Sequence, residues 1–333
     1  MSQAPGLKIA LKRGALVAAA NWPLVVVQFV ADSILKLMIA VPTVGGIVLV
    51  VLLLDANVEE LLTGELRTMI WAVVGVLWEN PAALVAFGLS FVVAVVGASA
   101  LTAVVKAGTV AVLAEAEAKA GPLERTPVRF EMLKRADRTG IEPFLSECRR
   151  LWKRYLRLAG CLLLVYGATA AIYIPIVVGG YALVDNIGTF LGWTVLAFLG
   201  TSALVVWITA INLVYLLTQM VIAVEDVGVR KAAGLVGSFL RDCTRHIVGI
   251  VGVVLLLVIL GLIASTLGTF GLGLISWVPL VALAVMPLQI GAWLLRGFVF
   301  QYLALTALGA YLTQYRFYRR GSPLTAVPGQ RLA

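Results

Sequence analysis

Histidine and cysteine are nearly missing from this chain, which has one histidine, His246, and three cysteines, Cys148, Cys161 and Cys243. Metal centres and hydrolytic sites are built from clusters of His, Cys, Asp or Glu. With that material absent and few acids outside loops, no catalytic residue, metal ligand or cofactor is expected, and the reading is non-enzymatic. The cysteines show no metal-ligand spacing, and two of them fall in segments expected to face the cytoplasm, where free thiols are the rule. His246 follows Arg245 at the entry to an apolar run and reads as a headgroup-level residue rather than a base.

Charge is also scarce. Charged residues make up 13% of the chain against 61% hydrophobic, and the mean hydropathy is +1.02, which excludes a water-soluble fold. Apolar runs of the roughly 20 residues needed to cross a bilayer occupy 82–105, 159–184, 188–223, 247–267 and 297–315. Only helices or closed barrels span lipid, and these runs do not alternate apolar with polar as barrel strands do. The spans are therefore expected to be helices. Lys8, Lys12 and Arg13 before Ala18, Ala19 and Ala20 resemble a secretory processing site, but the intervening apolar stretch is too short and Ala-rich for a signal peptide.

The net charge of +9 sits in alternate loops. The N-terminus is basic, and the connection bearing Asp55, Glu59, Glu60 and Glu65 is acidic. Residues 106–157 hold twelve Lys and Arg, the turn at Asp185 and Asn186 none. Arg230, Lys231, Arg241 and Arg245 follow, then an uncharged Gly-rich turn, then Arg316, Arg319, Arg320 and Arg331. The positive-inside rule gives both termini in the cytoplasm and an even number of spans. Parity rejects a second span in residues 14–54 or in 275–315. Residues 275–290, interrupted by Pro279 and Pro287, are expected to form an outer interfacial or re-entrant segment.

Each pair of spans follows a basic segment with helical apolar periodicity, the mark of a helix lying on the membrane surface. In the second copy Leu145, Cys148, Trp152, Tyr155 and Ala159 form the apolar face, with Arg149, Arg150, Lys153, Arg154 and Arg157 opposite. In the third, Val229, Ala232, Val236, Phe239 and Cys243 oppose Arg230, Lys231, Arg241 and Arg245, and Glu225 and Asp226 sit at the start, where a helix dipole favours acids. The first, Leu7 to Ala20, is weaker and is interrupted at Asn21, Trp22 and Pro23. The expected architecture is all-α: a polytopic integral membrane protein of about six transmembrane helices in three hairpins, each preceded by a basic amphipathic surface helix, N-in and C-in. It reads as one membrane domain over 1–333, with repeat units at about 7–119, 143–224 and 228–318 and a cytoplasmic connection at about 120–143.

Glu225, Gly228, Val229, Ala232, Ser238 and Arg241, with a C-terminal Tyr-x-x-x-Tyr-Arg at Tyr311, Tyr315 and Arg316, resemble the six-helix membrane domain found beside some glycerophosphodiester phosphodiesterases and in related bacterial membrane proteins. The organisation of the three units agrees with that family, while His246 departs from it, standing where the pattern has an aromatic residue. The resemblance implies a membrane module and carries over no catalytic residue, because no polar phosphodiesterase domain accompanies it here.

Three intramembrane polar candidates stand out, since ions inside a membrane are functional candidates by default. Asp32 and Lys36 are four residues apart, and placing both near the midplane costs about 5–7 kcal/mol. A first span at 37–54, about 27 Å long, instead puts them at the cytoplasmic interface, where Lys36 snorkels. Arg296 stands nineteen residues before Arg316, which allows one arginine at each edge of the last span.

Juxtamembrane Lys and Arg gain about 1 kcal/mol each from anionic lipid. The expected partner is therefore anionic phospholipid, and nucleic acid is not, because these charges lie on helices whose other faces suit a bilayer. The functional expectation is a protein of the bacterial cytoplasmic membrane with a role in envelope or lipid homeostasis. The alternative is a small-solute transporter or channel, with Asp32, Lys36 or Arg296 facing a wet cavity.

Overall fold

The structure, a computed structural model, describes residues 6–54, 75, 78–121, 131, 134, 136–137, 140–184, 186–275 and 279–321. The acidic connection (Asp55, Glu59, Glu60, Glu65), Asp185, most of the 120–143 connection and Arg331 lie outside the described residues.

Seven helices are described: α1 (Leu7–Ala20), α2 (Trp22–Leu54), α3 (Pro81–Lys119), α4 (Ile141–Ala182), α5 (Ile187–Glu225), α6 (Val229–Ile275) and α7 (Pro279–Gly321). No strand occurs among the described residues. All but α1 are long and apolar enough to cross a membrane, so the chain is a helical multi-pass membrane protein. Within the most apolar windows of α4 and α5 no residue is buried, and in α3 only 6% are, as expected of helices whose neighbour is lipid.

The helices are longer than a bilayer requires. From α3 to α7 they contain 39 to 47 residues, or about 58–70 Å at 1.5 Å per residue, about twice a hydrocarbon core of ~30 Å. This corrects the expected surface helices. Segment 144–159 is the start of α4, joined without a break to the apolar run that follows, because nothing between Pro143 and Pro175 lacks the N–H a helix needs. In α6 the same junction is marked by a kink at Cys243 (φ −119°, ψ 19°). Only α1 is a separate element, ended at Asn21, whose buried amide donates to Val17 O at 2.9 Å and to Ala136 O at 2.8 Å. Two further segments are parts of longer helices. Residues 279–290, expected as a separate outer segment, are continuous with the rest of α7, with Pro287 inside the helix. The expected first span at 37–54 is the later part of α2, which begins at Trp22.

The chain divides into two compact units, one of Met1–Val30, Val105–Tyr155 and Val214–Ala333, the other of Ala31–Val104 and Leu156–Leu213. In the first unit, three stretches are buried on nearly all sides: Ala107–Glu117 of α3, Leu217–Ala223 of α5 and Leu305–Tyr315 of α7. A helix apolar all round is an interior helix, so these three ends form the core. They meet one another directly: Arg316 of α7 donates to Ala114 O of α3, Lys106 of α3 lies 5.5 Å from the Tyr215 ring of α5, and Arg319 of α7 pairs with Glu225 of α5.

Amphipathic segments cover this core. Helix α1 packs on α7 with backbone-to-backbone closeness, since a Cβ on Gly14 would stand 2.3 Å from Thr306 O, and one on Gly309 2.8 Å from Gly14 Cα. The start of α4 lies against α3, where Gly108 leaves room for Cys148 and Phe144, and against α5, where the Tyr155 hydroxyl donates to Gln219 O at 2.7 Å. The start of α6 inserts Phe239 edge-on to Tyr315 of α7, centroids 5.3 Å apart. The periodic unit read from the sequence thus supplies one covering segment and one core segment per repeat.

A second repeated contact ties the hairpins. Gly46 of α2 faces the Phe87 ring of α3, Gly180 of α4 faces Trp193 of α5, and Gly261 of α6 faces Phe300 of α7. Any side chain at Gly46 or Gly180 would place its Cβ 2.2 Å from the ring. A glycine on the first helix against an aromatic on the second therefore recurs in all three pairs.

Candidate functional site

The basic candidates sort into bound and unbound groups. Around α4, the buried line consists of Cys148, Leu151, Tyr155, Leu158 and Ala159. Of the expected apolar face, Leu145 and Trp152 instead stand exposed, and Leu151 takes their place inside. The apolar stripe is therefore wide, with one edge packed against protein and the other facing outward. Leu145, Trp152 and Leu156, exposed by 57, 40 and 38%, form that outward ridge at helical spacing.

Beside it runs a second ridge, Arg149, Lys153 and Arg157, each four residues from the next and each exposed. None of the three has an ion-pair partner among the described residues, and the Lys153 ammonium lies 5.6 Å from the Trp152 ring centroid. Arg150 and Arg154, one step further round, are engaged: Arg154 Nη1 meets Asp226 Oδ1 at 2.6 Å, and Arg150 contacts Glu147 at 2.7 Å and Asp226 at 3.4 Å. On α6, Ala232, Val236 and Phe239 are buried as expected, and Arg230, Lys231, Arg241 and Arg245 are exposed.

Of the acids that hold arginines, Glu225 and Asp226 were read from the sequence only as opening the third surface helix, and Glu117 was not singled out. Glu117, with its side chain 5% exposed, receives Arg13 Nε on Oε1 at 2.9 Å, with Arg316 Nη1 2.9 Å from Oε2. Oε2 is in ion-pair contact but lacks hydrogen-bond geometry. Glu117 lies near the end of α3 and Glu225 is the last residue of α5, where the helix dipole opposes a negative charge. Arginines from other helices supply the compensation, Arg319 donating to Glu225 at 2.8 and 3.1 Å beside the Tyr315 hydroxyl at 3.2 Å. Glu225 therefore closes α5 instead of opening α6. For Glu117 the cue in the sequence was the pair of acids, Glu115 and Glu117, that closes the apolar run of α3.

The intramembrane candidates each have a partner on their own helix. Asp32 and Lys36 pair with each other at 2.6 Å along α2, with side chains 35 and 61% exposed. Arg296 lies over the Phe300 ring at 5.6 Å, one turn away. His246 is half-buried near the α6 kink, and all three cysteines are free. Among the described residues no three His, Cys, Asp or Glu side chains gather as a metal site. Comparison with protein-family models, curated proteins and solved structures finds no match.

Proposed function

We propose that this is a non-enzymatic protein of the bacterial cytoplasmic membrane, N-in and C-in, that engages anionic phospholipid and serves envelope or lipid homeostasis. The observation that carries this reading is the paired ridges of α4. An exposed Leu145–Trp152–Leu156 line in water would be an unexplained apolar patch. Set at the acyl boundary, it places Arg149, Lys153 and Arg157 among the headgroups, as in interfacial helices. Among the described residues these three charges have no ion-pair partner, so each is available for about 1 kcal/mol of attraction to anionic lipid. Arg230, Lys231, Arg241 and Arg245, exposed on α6, extend the basic surface. The resemblance to the membrane domain of glycerophosphodiester phosphodiesterases is in keeping with such a module.

The solute-transport alternative has weaker support. It needs Asp32, Lys36 or Arg296 to face a hydrated path, whereas the first two neutralise each other and the third stacks on an aromatic ring.

Native mass spectrometry of the delipidated full chain, titrated with dioleoyl phosphatidylglycerol and dioleoyl phosphatidylcholine, tests the proposal. The wild type should prefer the anionic lipid. Changing Arg149, Lys153 and Arg157 to Gln should cut that preference by up to about 100-fold, from three contributions of ~1 kcal/mol. A wild type without preference sinks the reading.

A further inference from the structure

Helices α2 and α3 enclose a groove of about 820 Å³, within the size range of ligand sites. Leu37, Val41, Pro42 and Gly45 form one wall and Phe87 and Ser90 part of the other. The groove has a local cause. Proline and glycine at 42, 45 and 46 strip side-chain volume from the face of α2 turned toward α3, and Pro42 inside a helix also forfeits a backbone hydrogen bond. Gly46 is where the helices touch, through the Phe87 ring, whereas a Cβ on Gly45 would meet nothing within 4 Å. Contact and opening are thus set by adjacent glycines.

We propose that this groove holds a lipid acyl chain, at a site separate from the basic ridge of α4 and independent of headgroup charge. Both walls belong to helices apolar enough to span a membrane, so what fills the groove is hydrocarbon rather than water. The proton of its one hydroxyl, Ser90, is already donated to Phe87 O at 2.8 Å, so the groove offers a polar solute no free side-chain donor. From Leu37 to Leu49 the α2 wall runs thirteen residues, about 18 Å from first to last, close to the ~15 Å depth of one leaflet in a ~30 Å core. Helix association in lipid relies on close backbone approach and interhelical hydrogen bonds. Here branched Leu37, Val41 and Val93, all lining the groove and exposed by 63 to 65%, are bulkier than the small residues such close approach uses, so a flexible chain is the better occupant.

The full chain in detergent, delipidated and titrated with dioleoyl phosphatidylcholine, gives the test. Native mass spectrometry should find one tightly retained lipid on the wild type and on Gly200→Leu, a control at an exposed α5 glycine with open space around it. That lipid should be lost in Gly45→Leu, which fills the groove from α2, and in Ser90→Phe, which fills it from α3. Two fillers from opposite walls guard against one failing to fold. The Gln triple variant at 149, 153 and 157 should keep this lipid while losing its anionic preference, so the groove and the basic ridge stand or fall separately. Equal lipid counts in wild type and both filled variants overturn the proposal. So does conversion of a dimer to a monomer at unchanged lipid count, which would make the groove a helix interface between copies.

Discussion

Arg154 of α4 and Asp226, the residue after α5, meet at 2.6 Å, and the aspartate sits in the left-handed region at φ 52°. Apart from glycine, aspartate is among the few residues that visit this region at modest cost. Its side chain, half exposed, also draws in Arg150. One carboxylate at the joint between α5 and α6 thus occupies two of the five basic residues on α4.

On the proposed lipid-engaging role, Asp226 would compete with phospholipid for Arg154. Asp226→Asn should strengthen binding of phosphatidylglycerol by about fivefold, from release of Arg154 at ~1 kcal/mol, since Arg150 keeps Glu147 at 2.7 Å. Titration by native mass spectrometry reads this directly, and weaker anionic binding in the variant would show that the pair positions the ridge instead of masking part of it.

Gly14 and Gly309 let α1 lie on α7. Gly14→Ala would drive a methyl group into Thr306 O and Ala310 N, both backbone atoms, so the strain cannot be relieved by a rotamer change and should cost about 1–3 kcal/mol. Gly234→Ala, on an open face of α6, should be neutral or stabilising by up to about 1 kcal/mol. Thermal unfolding of the two purified variants separates them, and equal melting temperatures would refute the close approach.

Glu117 balances Arg13 and Arg316 inside the core. Removing one partner of a buried ion pair typically costs about 3–5 kcal/mol, so Glu117→Ala should unfold at a markedly lower temperature than the wild type. Lys119→Ala, which deletes an exposed pair with Glu115, should change stability by less than about 1 kcal/mol. A Glu117→Ala protein as stable as Lys119→Ala would mean the cluster contributes little.

What the sequence determined by itself was local. Uninterrupted apolar runs fix which segments can span lipid, and the three-and-four spacing of Ala232, Val236 and Phe239 fixes a buried face, because both depend only on neighbours along one helix. That α2 runs unbroken from Trp22 and α7 from Pro279 was not read from the sequence, which set residues 275–290 apart and began the first span near residue 37. Tertiary structure decided what lies against those faces. The first face of α4 was misread at Leu145, Leu151 and Trp152, since its apolar stripe is wider than its contact and only α3 and α5 choose the covered edge. The same holds for charge. Arg13 finds Glu117 across 104 residues and Arg319 finds Glu225 across 94, and no periodicity within a helix encodes a partner on another. Which basic residues lack an ion-pair partner among the described residues follows from such pairings, and so was decided by the packed core.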